Sequence, residues 1–218
     1  MAPDIAPPLE QAHCGLRAPA FFEDVPPILM RDPLAQTLGA CEDGLIEYRY
    51  TDAVKLAGHS CPTVAGAWLM TRAALARLYP GELPVRGELR VELRQRLDEG
   101  VAGVIASVVT LVTGAANEGG FKGLGGRFGR CDLLRFGVPM QGEIRFTRLD
   151  TGRSAETAYH PEIVPRPPDL KSLMQAASAP DADAVTRKFF ATAWQDWVRA
   201  ILVDRREDPA LVTVSDES

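Results

Sequence analysis

The chain has 218 residues, enough for one large or two small domains with a real core. Its 46% hydrophobic and 24% charged residues are those of ordinary soluble proteins, and a net charge of −5 argues against nucleic-acid binding as the main role. The longest apolar run, Val101 to Val112, is too short to span a bilayer, so no membrane partner is expected.

Four cysteines, at positions 14, 41, 61 and 131, stand far apart with no Cys-x-x-Cys among them. That usage suits reduced thiols and a cytoplasmic setting better than a disulfide framework. The first residues carry no basic segment leading into an apolar one, so no signal peptide is expected.

Residues 1–40 are rich in proline (Pro3, Pro7, Pro8, Pro19, Pro26, Pro27 and Pro33) and read as an irregular N-terminal arm with short helical turns. His13-Cys14 lies within it, an adjacent pair awkward for joint ligation of one ion. Residues 41–160 read as an α+β core. A short strand is expected at Leu45–Tyr50, then a helix capped by Thr51 or Asp52 and ended by Gly58. Pro62 suits the first position of the next helix, whose sequence runs unbroken to Tyr79 before Pro80-Gly81. Apolar residues occupy every face of that helix, and Arg72 and Arg77 are its only charges, so it should be buried.

Gly87 to Arg94 alternates. Leu89, Val91 and Leu93 should face the core, while Glu88, Arg90, Glu92 and Arg94 form a solvated or dimer-facing surface. Asp98-Glu99 should cap an apolar helix to Val112, with the β-branched run from Val108 pulling toward strand near Ser107. Seven glycines between Gly114 and Gly129, interleaved with Lys122, Arg127 and Arg130, make a loop able to offer amides and cations to a small anionic ligand; Lys122 and Arg127 are its candidate binding residues. Cys131–Phe136 reads as a strand, and Glu143–Leu149 with Ser154–Tyr159 as a hairpin. Residues 161–218 read as a Pro-rich linker, a short helix near 169–177 and a longer one from about 181 to 204. Phe189, Phe190, Trp194 and Trp197 on the longer helix should dock it on the core or on a second subunit, and a homodimer is expected. The expected architecture is thus a mixed sheet packed by the buried central helix, with a C-terminal helical extension.

The most specific chemistry lies in Gly58-His59-Ser60-Cys61-Pro62. An imidazole and a thiol stand two residues apart at the start of a buried helix, whose unpaired amides and positive dipole end suit a metal-bound or nucleophilic sulfur. The segment from Ala53 through Pro62, with Gly66 in the helix after it, resembles the signature of the FmdE-like family, named for one component of formylmethanofuran dehydrogenase. The order of elements matches across about Thr51 to Tyr159. The resemblance implies a metal site with His59 and Cys61 as ligands, zinc or another transition metal as the ion, and an accessory role near molybdenum- or tungsten-dependent one-carbon metabolism. The chain departs from the family pattern at Ala57, where a second His is common, at Ala115, where a Cys follows Thr-Gly, and at Leu93–Arg96, where an Asp-x-Cys is usual. It also lacks the C-terminal Cys-x-x-Cys module. Asn117 and Glu118 are candidate oxygen donors in place of the missing cysteine, with the glycine-rich loop walling the metal pocket.

Three other readings stand beside the metal site. Cys61 or His59 could be an axial ligand to haem, with Trp68 and Met70 on one wall. Cys61 could be a nucleophile with His59 as its base. The chain could instead be an interaction module built on its arm and its tryptophan-bearing helix.

Overall fold

The computed structural model describes residues 16–217. Strands β1 (Ile28–Arg31) and β2 (Leu45–Tyr48) pair antiparallel, with Ile28 opposite Tyr48 and Arg31 opposite Leu45. The link between them holds the short helix α1 (Pro33–Thr37), capped by the Asp32 carboxylate, which accepts from the Leu34 and Ala35 amides. Helix α2 (Tyr50–Ala57) stops at Gly58, whose φ of 75° is the left-handed conformation that glycine adopts without strain. Helix α3 (Pro62–Leu78) follows at once, with Pro62 in its first turn as its ring geometry favours.

A five-stranded mixed sheet is formed by β3 (Leu89–Leu93), β4 (Leu134–Phe136), β5 (Ile144–Arg148), β6 (Ser154–Tyr159) and β7 (Val212–Glu217) in the order β4-β3-β5-β6-β7. The β3–β4 pair is parallel and the other neighbours are antiparallel. Helix α3 lies across β5, β6 and β7, and α4 (Ala102–Thr113) packs on α2, α3 and β3. The core gathers Trp68 and Met70 of α3, Leu89 and Val91 of β3, Val108 and Val112 of α4, and Ile144 and Phe146 of β5, all fully buried. The α+β architecture with a C-terminal helical extension is as expected. The extension consists of α5 (Leu170–Ala177) and α6 (Ala184–Arg199), the latter prolonged by a π-helical turn at Ala200–Asp204.

Several local expectations differ from the structure. The 98–112 segment does not convert to strand: α4 stays helical to Thr113 and begins at Ala102, with Val101 rather than Asp98 at its cap. β-Branched residues lose only a few tenths of a kcal/mol each in a helix, while burying Val108, Val109 and Val112 completely returns about 1.5–3 kcal/mol apiece. The charged face of β3 is solvated at its ends, where Glu88 and Arg94 are exposed, but not at its centre. Glu92 is buried among Arg90, Arg135 and Arg145, and Glu156 on β6 is buried against Arg145 at 2.7 Å. In the Pro-rich segment, Phe22, Val25 and Met30 are built into the core, because a short strand and two helical turns bring alternate residues inward. Phe22 sits edge-on to Tyr50, which in turn sits edge-on to Trp68. His13 and Cys14 lie outside the described residues.

No helix among the described residues is long and apolar enough to cross a membrane.

Candidate functional site

The turn between α2 and α3 is held from three directions. The Ser60 hydroxyl shares a hydrogen bond of 3.0 Å with the buried Tyr50 phenol on α2. The Ser60 carbonyl accepts from Trp194 Nε1 at 2.9 Å and Gln195 Nε2 at 3.2 Å, both on α6. Cys61 forms the N-cap of α3, with its Sγ receiving the Val64 amide at 3.5 Å. The two residues flanking Ser60 are thereby fixed in place, although His59 itself is exposed.

The His59 ring places Nδ1 2.9 Å from the Ala57 carbonyl. A carbonyl can only accept, so Nδ1 carries the proton, and in the neutral ring Nε2 then holds the lone pair. A carbonyl on the second nitrogen is the arrangement that orients metal-bound histidines. The same orientation would serve a general base acting through Nε2, but among the described hydrogen bonds none joins the imidazole to Sγ.

His59 and Cys61 both line a cavity of about 1040 Å³, just above the range of about 300–1,000 Å³ usual for small-molecule and cofactor sites. Its depth is apolar, with Met70, Leu93, Ile105 and Ile144 from the core. The opposite wall is the C-terminal extension, through Pro167, Leu170, Trp194 and Trp197. Thus the Pro-rich stretch expected to be a plain linker closes the site. Trp197 is buried against the core and donates to the Val164 carbonyl, while Trp194 stands edge-on to it at 5.9 Å, facing the turn.

Two polar residues that the sequence did not single out also enter this cavity. Glu143, just before β5, is the one carboxylate among its described lining residues. Burial pushes its carboxyl above the ordinary value, against the pull of Arg94 and the Tyr159 amide. Tyr159, at the end of β6, has a buried hydroxyl with no hydrogen-bond partner among the described residues; burial raises its phenol well above normal, and the nearby Tyr50, Cys61 and Glu143 add to the effect. The Tyr159 ring lies against Gly66, where a Cβ would fall 2.4 Å from two ring carbons. Gly66 is the signal that could have revealed this contact: one glycine in a helix otherwise built of good helix formers marks a close approach.

The other candidate residues are elsewhere. Lys122 and Arg127 are exposed on the glycine-rich loop, Arg127 lying over the Phe128 ring at 4.7 Å, and no described residue of that loop lines the cavity. The loop instead folds over the buried Asp32–Arg86–Arg130 cluster: Gly114 and Gly120 pack closely on Arg130, which pairs with Asp32 at 2.8 Å. It therefore does not wall the His59–Cys61 site. Asn117 accepts from the Gly119 amide, and Glu118 is exposed. His160 pairs with Glu162 and Thr213 outside the cavity. Among the described residues, no group of three or more histidine, cysteine, aspartate or glutamate side chains converges as a metal-ligand set. His59 and Cys61 therefore stand as a pair.

No protein-family model matches the chain, and no curated protein matches it.

Proposed function

We propose that this is a metal-binding protein of the FmdE type, in which His59 Nε2 and Cys61 Sγ supply two protein donors to an ion at the rim of the cavity. The observation that carries this reading is the His59 ring itself, whose Nδ1–H is committed to the Ala57 carbonyl, with no described hydrogen bond at Nε2, while Cys61 caps helix α3 and lines the same cavity. One imidazole nitrogen and one sulfur suit zinc or a similar borderline ion. Two protein donors leave coordination positions for water or for a ligand in the cavity, and a bound ion would supply Lewis-acid chemistry there. Around it the chain's own residues have plain tasks. Ser60, through Tyr50, Trp194 and Gln195, fixes the turn; Tyr159 offers a phenolic donor to an oxygen in the cavity; Glu143 holds or releases a proton at its carboxyl.

A second reading is favoured by the cavity. Its volume, its apolar depth and its two tryptophans fit a flat hydrophobic cofactor, and haem needs only one or two axial ligands of the kind that Cys61 and His59 provide. Elemental analysis and an absorption spectrum of the purified wild type and Cys61→Ala test both readings. About one equivalent of transition metal, lost on substitution, is the expected result. A Soret band shifted or lost on substitution establishes haem instead. Neither metal nor haem, with no uptake on reconstitution, refutes both.

A further inference from the structure

The cavity carries an asymmetry of charge that the metal reading does not use. Arg166 and Lys171 both line it, on the side built by the C-terminal extension. Elsewhere arginines are largely matched with acids, as Arg72 is with Glu207, Arg145 with Glu156, and Arg148 with Asp150 and Glu82. Neither Arg166 nor Lys171 meets a carboxylate among the described residues. The Arg166 guanidinium is nevertheless held, 5.1 Å above the Trp197 ring. Lys171 stands in the first turn of α5, where a cation works against the helix dipole, so local helix stability does not explain it. Among the described lining residues Glu143 is the one carboxylate, and burial drives it toward its neutral form. The lining also includes the apolar, buried Met70, Ile105 and Ile144.

From this geometry we infer that the cavity binds an amphipathic organic anion, its carboxylate held by Arg166 and Lys171 and its apolar body lying on Met70, Ile105, Ile144 and Trp197. This deepens the proposal for the same site, resting on it only for the location and not for the metal. Two cations at one end of an apolar chamber select against neutral and cationic ligands of equal size, because desolvating a carboxylate is offset only where donors await it. The same arrangement suits a ligand whose other end meets the His59–Cys61 pair.

Calorimetric titration of the full-length protein, freed of metal by a chelator, with decanoate and with decylammonium tests the inference. The two probes share a chain and differ in the sign of the head. The wild type is expected to bind decanoate at least about tenfold more tightly, equivalent to about 1.4 kcal/mol. Arg166→Gln/Lys171→Gln should abolish the preference, and Arg166→Glu/Lys171→Glu should reverse it. Both positions are exposed, so these variants should fold. Equal affinity of the wild type for the two probes, or a preference for decanoate that survives charge reversal, overturns the inference. A wild type that holds no metal as purified and takes up none on reconstitution, yet prefers decanoate, refutes the metal reading and keeps this one. A wild type that loses its metal on Cys61→Ala but shows no preference does the opposite.

Discussion

Gly66→Ala isolates the contact between helix α3 and the cavity. In a free helix the substitution stabilises by about 1 kcal/mol, because alanine is the better helix former. Here the new Cβ would stand 2.4 Å from Tyr159 Cδ1 and Cε1 and 2.8 Å from Cγ. Carbon atoms rest about 3.5–4.0 Å apart, so the ring must retreat by about 1 Å. Tyr159 cannot do so freely, since β6 is paired on both sides, to β5 and β7. Overpacking of this kind costs about 1–3 kcal/mol; taking the upper end for three overlapping ring atoms on a paired strand and subtracting the helix gain leaves a net loss of about 2 kcal/mol. The urea-unfolding midpoint of Gly66→Ala should fall accordingly. In a Tyr159→Ala background, where no ring opposes the methyl, the same substitution should raise the midpoint. A stabilising Gly66→Ala in the wild-type background would refute the reasoning.

Asp32→Asn should cost about 3–5 kcal/mol, because it leaves the buried Arg130 and the partly buried Arg86 without their shared carboxylate. Burial acts to raise the Asp32 carboxyl, but the Ala35 amide and the two guanidiniums outweigh it and hold the group below its ordinary value. Its stabilisation is therefore complete above about pH 4 and lost as pH falls through the lower folded value; urea midpoints of wild type and Asp32→Asn should converge in acid. Glu143 has the opposite sign: its carboxyl is raised, so its contribution is full below the ordinary carboxylate range and lost as pH rises through the folded value. Glu143→Gln should flatten that decline, which sets in above the ordinary carboxylate range, in the same assay. Trp194→Phe removes one of two bonds to the Ser60 carbonyl and should cost about 1 kcal/mol; with Gln195→Ala added, amide hydrogen exchange at residues 58–61 should accelerate as the turn loses its remaining anchor on α6.

The segments legible in the sequence are those fixed by neighbours in the chain. Gly58 and Pro62 bracket a turn by backbone geometry alone, and Leu89, Val91 and Leu93 announce a strand by alternation. Helix α4 misled because its β-branched residues express a weak local preference that complete burial overrides. The cavity was not legible at all. It is assembled from α3, the start of α4, the β5–β6 hairpin and the segment after Pro161, which nothing short of tertiary packing brings together. Lys122 and Arg127 were singled out because glycines and cations alternate there, but two of those glycines, Gly114 and Gly120, serve close packing on Arg130, and Gly120 leaves only 2.9 Å between a would-be Cβ and the Arg130 backbone.

Helix α6 is tied to the turn between α2 and α3 through a single carbonyl. Ser60 lies between the two candidate ligands, its hydroxyl tied to the core through Tyr50 and its carbonyl tied to α6 through Trp194 and Gln195. A side chain on the extension thereby sets the backbone that carries His59 and Cys61, and Trp194 also forms the wall facing them. Displacing α6 would open the chamber and release the turn together. The extension therefore acts as more than a cover: it fixes the geometry of the site and, through Arg166 and Lys171, gives the chamber its positive side.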